Sequence, residues 1–268
     1  MSSYLIADSG GTRTDWCFIN KNKECNYFET ESYHNTNWSD DFFIRIAEYW
    51  RHHDAMKASR LLFYGAGCMN ESNALKQELI FKEIGFSDVI VRSDLHAAGI
   101  ACLGKREGKV AIMGTGSVLF DWKDESVHNV IGGKGHLLGD EGSGYYFGKL
   151  VHNAYLTKQL SKEQNQLYKE LVDLSLLQNN LKSGLSQSSY LLRNHKHVFE
   201  AFHRKNTKAF YTKHIKHSNA IDINLLGGYA FHHATIIEQE LQQYKVRIKE
   251  VLNGAISKIV EQIATLND

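Results

Sequence analysis

Proline is absent from this chain of 268 residues. Usage near 5% is typical of globular proteins, so the turns must be formed by glycine, asparagine, aspartate and serine instead. The same absence excludes a native cis-proline as a slow step in folding. The turns of the chain are therefore predicted at its glycines and small polar residues.

Cysteine is also scarce, and no CxxC pair or metal-like cluster occurs among the four cysteines, Cys17, Cys25, Cys68 and Cys102. Such thiols are most simply free in a reducing compartment. No apolar run approaches the roughly 20 residues that cross a bilayer. The first eight residues carry no basic stretch before an apolar core, so no signal peptide is expected. A cytoplasmic location without a membrane partner follows as the expectation.

An excess of charge of one sign is lacking as well. The 31 lysines and arginines against 30 acidic residues give a net charge of +1, so no global field attracts nucleic acid. Neither end carries a basic arm. Hydrophobic residues make up 43% and charged residues 23%, which is ordinary for a globular protein. The length suits about two domains, and no nucleic-acid partner is expected.

The first informative bend follows a short apolar strand. Tyr4–Ala7 is predicted as a strand, the turn at Asp8–Thr12 follows, and Asp15–Asn20 is predicted as a second strand. A Rossmann or P-loop glycine motif leads directly into a helix, so both of those nucleotide folds are disfavoured. Glycine amides in such a turn can cradle a phosphate, and a carboxylate beside them can hold Mg²⁺. The alternative is a plain hairpin turn.

A second bend repeats this order of elements. Val110–Met113, the turn at Gly114–Ser117, and Leu119–Trp122 again read as strand, glycine turn and strand, which predicts a duplicated unit. Alone this turn is often only a tight bend, but together the two turns fit a nucleotide phosphate held from two sides. A further glycine pair, Gly227-Gly228, precedes a helical pattern.

Asp94 follows the strand pattern Val89–Arg92 and opens a helical pattern. One interpretation is that its side chain is the N-cap of that helix. The other is a catalytic base, which accepts the proton of an attacking hydroxyl group during phosphoryl transfer. The residues alone leave both interpretations open.

Two further segments offer polar side chains. Asp140 and Glu141 lie in a Gly-Asp-Glu-Gly-Ser run, which alone is compatible with a capped helix start. Asn35–Trp38 precedes a predicted helix, and this segment is also compatible with a loop that only caps that helix. Amide and carboxylate groups of this kind also hydrogen-bond the hydroxyls of a sugar.

In this order, these elements resemble the N-acetylglucosamine kinase branch of the BadF/BadG/BcrA/BcrD ATPase family, within the actin/hexokinase/Hsp70-like superfamily. The resemblance covers nearly the whole chain. It implies an α/β fold of two ribonuclease-H-like (actin-like ATPase) lobes around a central nucleotide and sugar cleft. The N-terminal lobe would comprise residues 1–106, completed by a C-terminal helix at 251–268. The second lobe would comprise residues 107–250, with a helical insertion.

The resemblance also implies a role for each motif. Asp94 would be the catalytic base, and Asp8 would organise Mg²⁺ through water. ATP would contact Ser9, Gly10, Gly11, Thr12, Arg13, Thr14, Gly114, Thr115, Gly116, Ser117, Gly227 and Gly228. An amino sugar would contact Asn35, Asn37, Gly65, Gly135, His136, Asp140 and Glu141. The implied activity is transfer of the γ-phosphate of ATP to the 6-hydroxyl of N-acetylglucosamine or a related amino sugar, by a homodimer.

Two other functions are compatible with this fold. Dehydratase-activating ATPases hold an iron–sulfur cluster with cysteines, and here no cysteine follows Cys102, so the second lobe offers no thiolate. A regulator would bind ATP or sugar without turnover, whereas retention of both Asp8 and Asp94 favours chemistry. Val118 and Lys134 depart from the pattern of the animal enzymes. The sugar therefore stays open between N-acetylglucosamine, N-acetylmuramic acid, glucosamine and a bare hexose.

Overall fold

The chain divides into two compact units in the computed structural model, which describes residues 2–33 and 39–266. Unit 1 comprises Met1–Lys105 and Gly254–Asp268, and unit 2 comprises Arg106–Asn253. The domain boundaries predicted from the sequence fall after residues 106 and 250. That each unit is an independent domain stays a prediction.

Unit 1 is built on a five-stranded mixed sheet. Its strands are β1 (Tyr4–Ser9), β2 (Arg13–Ile19), β3 (Cys25–Glu31), β4 (Arg60–Gly65) and β5 (Val89–Ser93). They lie in the order β3-β2-β1-β4-β5. β1 pairs antiparallel with β2 and parallel with β4, which in turn pairs parallel with β5. The carboxyl ends of β1, β4 and β5 therefore lie at one edge of the sheet.

The α-helices in the described part of unit 1 are α1 (Asp40–His52), α2 (Glu71–Ile84), α3 (Asp94–Leu103) and α10 (Ile256–Leu266). α1 is amphipathic, and its Phe42, Ile46 and Trp50 recur every four residues, which places them on one helix face. All three are buried in one cluster with Trp16 and Phe63 of the sheet. Burial of this aromatic face attaches α1 to the sheet.

Unit 2 repeats the strand order of unit 1. Its strands are β6 (Gly108–Met113), β7 (Ser117–Lys123), β8 (Ser126–Gly132), β9 (Asp222–Leu226) and β10 (Arg247–Leu252). They lie in the order β10-β9-β6-β7-β8, with antiparallel pairs β6–β7 and β7–β8 and parallel pairs β6–β9 and β9–β10. Each strand of unit 1 thus has a counterpart, which confirms the duplication that the glycine turns predict.

The helices of unit 2 lie mostly between β8 and β9 in the chain. They are α4 (Gly144–Leu156), α5 (Lys162–Leu171), α6 (Leu174–Asn179), α7 (Leu181–Leu192), α8 (Glu200–Phe210) and α9 (Gly228–Gln242). Their buried faces share one apolar cluster with the sheet, in which Met113, Phe147 and Leu225 are fully buried. None of the helices in the described ranges is long and apolar enough to cross a membrane.

The last helix begins later than the sequence predicts. Val251 and Leu252 have apolar neighbours at helical spacing, but they belong to β10 and pair with Leu225 and Leu226 of β9. The helix begins only at Ile256. The predicted start at residue 251 is therefore wrong, because a sheet partner distant in sequence overrides the local period.

Candidate functional site

The predicted site residues of unit 1 meet at the carboxyl edge of its sheet. Ser9 at the end of β1 pairs with Gly65 at the end of β4. Gly65 in turn pairs with Ser93, and Asp94 is the next residue along the chain. Ligands of open α/β sheets bind at such carboxyl edges. Asn35 and Asn37 lie outside the described residues.

The first glycine turn is a tight hairpin between β1 and β2, as predicted. The Gly10 N–H donates to the Arg13 carbonyl at 3.0 Å, and the Ser9 and Thr14 hydroxyls are 2.8 Å apart. A Cβ added at Gly11 would meet no atom of the described residues within 4 Å. The hairpin is therefore ordered by its own hydrogen bonds and leaves open space beside its glycine.

Arg13 points toward acidic side chains of its own sheet. Its guanidinium lies 2.9 Å from the Glu29 carboxylate and 3.4 Å from that of Asp15. The pair with Glu29 is largely exposed and contributes little to stability. The predicted contact of Arg13 with a nucleotide stays a prediction, as does that of Thr12 at the bend.

Two partly buried carboxyl groups dominate the electrostatics of this edge. The pKa of Asp8 is raised to about 7, mainly by burial; a hydrogen bond from the Ala255 N–H opposes this, and the nearby Asp94 and Asp15 carboxylates add to it. Burial likewise raises the pKa of Asp94 to about 6. Asp15, directly opposite Asp8 in the hairpin, was not predicted from the sequence. A proton or a cation would relieve the repulsion among these groups.

Asp94 is not the cap of α3. The N-cap is Ser93, whose Oγ accepts from the His96 N–H at 3.4 Å. Asp94 is the first residue of the helix, and its Oδ1 accepts from the Leu95 N–H at 3.0 Å. The N-cap interpretation of Asp94 is therefore wrong, and its carboxyl group is held at the helix start, where a negative charge is favourable.

The second glycine hairpin, between β6 and β7, is bonded to the start of α4. The Gly114 N–H donates to the Gly116 carbonyl at 3.0 Å. The Gly144 N–H donates to Gly114 O at 2.8 Å, and the Tyr145 N–H donates to Thr115 O at 3.3 Å. A Cβ at Gly114 would meet no atom of the described residues within 4 Å. This hairpin, like the first, has open space at a glycine.

Ser117 joins this hairpin to the Gly-Asp-Glu-Gly-Ser run. Its N–H donates to Asp140 Oδ1 at 3.2 Å, and its hydroxyl donates to the Glu141 carbonyl at 2.6 Å. Asp140 adopts φ +67°, a left-handed conformation in which glycine, asparagine and aspartate are the usual residues. The structure thus brings together two motifs that are separate in the sequence.

The carboxylates of the run differ in their surroundings. Burial raises the pKa of Asp140, while the Ser117 amide and the charges of His136 and Lys182 lower it. Glu141 Oε2 lies 3.7 Å from Nε2 of the buried His214. Burial lowers the pKa of His214, and Glu141 opposes that effect.

His136 lies in the loop that precedes the run. Its ring packs edge-on against that of Tyr145, with the centroids 5.5 Å apart. The neighbouring Gly135 carbonyl accepts from the N–H groups of Leu138 and Gly139, which closes a turn. His136 is close enough for its charge to lower the pKa of Asp140, and the turn that begins at Gly135 ends at Gly139, directly before that carboxylate.

The glycine pair Gly227-Gly228 packs against the Gly114–Ser117 hairpin of the same unit. Gly227 has φ +119°, and a Cβ there would lie 2.8 Å from Met113 O and 3.0 Å from Gly114 N. Only glycine combines this backbone conformation with so close an approach. Gly228 then begins α9. The start of α9 is thereby held against the base of the Gly114–Ser117 hairpin.

Replacing Gly227 with alanine is expected to destabilise the protein by about 2–3 kcal/mol, because the new methyl group overlaps the Met113 carbonyl. Gly228→Ala is the matched control, since a Cβ there comes no closer than 3.7 Å to its nearest neighbour. Urea denaturation of both variants measures the difference. Equal stability of the two would contradict the close approach.

Sequence reasoning missed Asn206, a fully buried residue of α8. Its amide oxygen accepts from the Gly142 N–H at 2.7 Å, and its amide nitrogen donates to Ser143 O at 2.9 Å. One feature of the sequence could have indicated such a contact, because most residues on the buried face of α8 are polar: His203, Asn206, Thr207 and Phe210.

Two α/β units of one strand order, each with a glycine hairpin at the carboxyl edge, give the chain the actin-like ATPase fold. A candidate N-acetylglucosamine kinase from Porphyromonas gingivalis superposes with a TM-score of 0.82 at 22% identity, covering 96% of this chain and 97% of that one. The activator of 2-hydroxyisocaproyl-CoA dehydratase from Clostridium difficile, solved with bound ADPNP, gives a TM-score of 0.53 at 14% identity, covering 96% and 91%. These likenesses confirm the fold that the sequence motifs predict.

At the level of sequence, the chain is similar to a curated N-acetylmuramic acid/N-acetylglucosamine kinase from Clostridium acetobutylicum. The two are 31% identical over 125 residues. That match covers 46% of this chain and spans 39% of the relative's length. No protein-family model matches the sequence.

Proposed function

We propose that this protein is an ATP-dependent sugar kinase, which transfers the γ-phosphate of ATP to the 6-hydroxyl of N-acetylglucosamine or a related amino sugar. The observation that carries the proposal is the pair of glycine hairpins at equivalent positions of two units of one topology. The hairpin of unit 1 is accompanied by Asp8 and Asp94, and that of unit 2 by Asp140 and Glu141. The similarity to described amino-sugar kinases supports the same activity.

In this proposal Asp94 accepts the proton of the attacking sugar hydroxyl. Its carboxylate is positioned at the start of α3 and its raised pKa of about 6 makes it a better proton acceptor than an ordinary aspartate. Transfer of the phosphoryl group then needs little else from the protein than positioning and charge stabilisation.

The two hairpins are proposed to bind the phosphates of ATP through residues Ser9–Thr14 and Gly114–Ser117, with the nucleoside against Gly227-Gly228. Open space at Gly11 and Gly114 fits the approach of a ligand to the backbone. Backbone N–H groups at such bends bind anions.

Mg²⁺ is proposed as the accompanying cation, organised by Asp8 through water. The repulsion that Asp94 and Asp15 exert on Asp8 fits a site completed by a cation. Within residues 2–33 and 39–266 no group of three or more His, Cys, Asp or Glu side chains could hold a metal ion by itself. Mg²⁺ commonly uses one or two carboxylates together with substrate phosphates, and when bound it offsets the phosphate charge.

The amino sugar is proposed to contact Asp140 and Glu141, with Gly135 and His136 from the same unit and with Asn35, Asn37 and Gly65 from unit 1. Carboxylates and amides that hydrogen-bond several hydroxyls reject analogues that lack them. A homodimer in the cytoplasm, without nucleic-acid or membrane partners, completes the proposal.

The alternative from another class is a regulator that binds ATP or sugar without turnover. The remaining alternative is activation of a dehydratase, which needs cysteines to hold an iron–sulfur cluster. All four cysteines lie in unit 1, and Cys17 and Cys102 are fully buried. Nothing in unit 2 favours that function, because it contains no cysteine.

The proposal is tested by ADP release from ATP and Mg²⁺, coupled to NADH oxidation, across N-acetylglucosamine, N-acetylmuramic acid, glucosamine and glucose. At least one amino sugar is expected to raise ADP release far above the rate without sugar. Sugar binding by calorimetry, with no sugar-dependent ADP release, would instead identify a regulator.

The acid limb of the pH profile is expected to reflect Asp94. A base acts in its deprotonated form, so kcat/KM for the sugar should be highest above pH 7 and fall as the pH decreases through about 6. In Asp94→Asn the residual activity should lack the inflection near pH 6. Wild-type kcat/KM that is constant from pH 5 to 8 would contradict this assignment.

A further inference from the structure

The Asn206 side chain binds two successive residues of the Gly-Asp-Glu-Gly-Ser run. Its Oδ1 accepts from the Gly142 N–H at 2.7 Å and its Nδ2 donates to the Ser143 carbonyl at 2.9 Å. A primary amide carries a donor and an acceptor, so one side chain satisfies two backbone groups. These contacts join residues more than 60 positions apart in the sequence.

A second residue of α8 packs against the same run. Phe210 lies one helical turn after Asn206, and a Cβ added at Gly142 would be 2.6 Å from its ring. The hairpin holds the run through Ser117, which binds Asp140 Oδ1 and the Glu141 carbonyl. The run is therefore bound by α8 at Gly142 and Ser143 and by the hairpin at Asp140 and Glu141.

The Asn206 side chain is fully buried, where an amide is unfavourable unless its groups are hydrogen-bonded. The run supplies those hydrogen bonds from outside α8, whereas the equally buried Thr207 hydroxyl bonds within its own helix. The Asn206 amide also interacts with the hydroxyl of Tyr229, which lies 2.8 Å from His203 Nδ1. This contact with α9 adds to the two hydrogen bonds that the amide forms with the run.

We infer that Asn206 is a positioning residue for the acceptor sugar. By holding Gly142 and Ser143 it fixes the two residues that directly follow the Asp140 and Glu141 carboxylates. The inference rests on the proposed function, since it assigns those carboxylates to the sugar. Loss of the amide would free the run and weaken sugar binding, while the hairpin at Gly114–Ser117 keeps its own hydrogen bonds.

The test compares Asn206→Ala and Asn206→Asp with Thr207→Val as the matched control. Thr207 is equally buried on α8, and its hydroxyl donates to the His203 carbonyl of its own helix at 3.0 Å. KM for the sugar is measured at saturating ATP, and KM for ATP at saturating sugar. We expect Asn206→Ala, which removes both hydrogen bonds, to raise the sugar KM about tenfold. Asn206→Asp keeps the acceptor for the Gly142 N–H but sets a carboxylate against the Ser143 carbonyl, so it should raise the sugar KM as well. Both variants should change the ATP KM less than twofold. Thr207→Val should change neither KM by more than twofold.

Circular dichroism and thermal unfolding show whether each variant is folded. A folded Asn206 variant with an unchanged sugar KM overturns the inference, as does an equal rise of both KM values or of the control. Failure of both Asn206 variants to fold also overturns it, because the amide would then serve the fold and not the run. A wild-type protein without sugar-dependent ADP release contradicts the proposed function itself, which separates that failure from this one.

Discussion

Asp94→Asn is expected to lower kcat about 10²- to 10⁴-fold, the range that general-base catalysis contributes, while the Kd for ATP changes less than twofold. Asparagine has the shape of aspartate, and its amide oxygen can still accept from the Leu95 N–H. It cannot accept the proton of the sugar hydroxyl. Steady-state kinetics and calorimetry with a non-hydrolysable ATP analogue measure the two quantities.

Asp88→Asn is the control for this substitution. Asp88 precedes β5 and forms an exposed ion pair with Arg60, which contributes little to stability. Its replacement should leave kcat unchanged. An Asp94→Asn variant that retains more than a tenth of the wild-type kcat would remove Asp94 from the role of catalytic base.

Gly114→Ala is expected to weaken ATP binding about 30-fold without loss of stability. A Cβ at this position meets no atom of the described residues within 4 Å, so the folded chain accommodates it. The methyl group would instead occupy the space into which a phosphate must come to reach the hairpin amides. Thermal unfolding and calorimetric titration with ATP measure the two effects.

Gly148→Ala provides the opposite case. A Cβ at Gly148 would lie 2.0 Å from the Leu185 carbonyl, so this variant should lose stability because α4 can no longer pack against α7. The comparison separates a glycine required by a ligand from one required by packing. Gly114→Ala with unchanged ATP affinity would contradict phosphate binding at this hairpin.

The local elements of the site were accessible from the sequence. Strand, glycine turn and strand at Asp8–Thr12 and at Gly114–Ser117 form within about 15 residues, so their pattern contains the information for both hairpins. The topology then explains why Gly65 and Asp94 lie at the edge that carries the first hairpin, because parallel strands end on one side.

Contacts between distant segments were not accessible in this way. Asn206 reaches Gly142 only because α8 packs on the start of α4. The strand identity of Val251 depends on β9, more than 20 residues earlier. In each case tertiary pairing determines the outcome, and no local pattern records it.

The fate of the γ-phosphate tests the account most directly. The protein is incubated with γ-labelled ATP, Mg²⁺ and the amino sugar that gives the fastest ADP release, and the products are separated and examined by phosphorus NMR. We predict that the label appears in a sugar phosphate coupled to the protons on carbon 6, and that the 6-deoxy sugar gives no labelled sugar. Release of the label as inorganic phosphate, at one rate with or without sugar, would contradict the proposal.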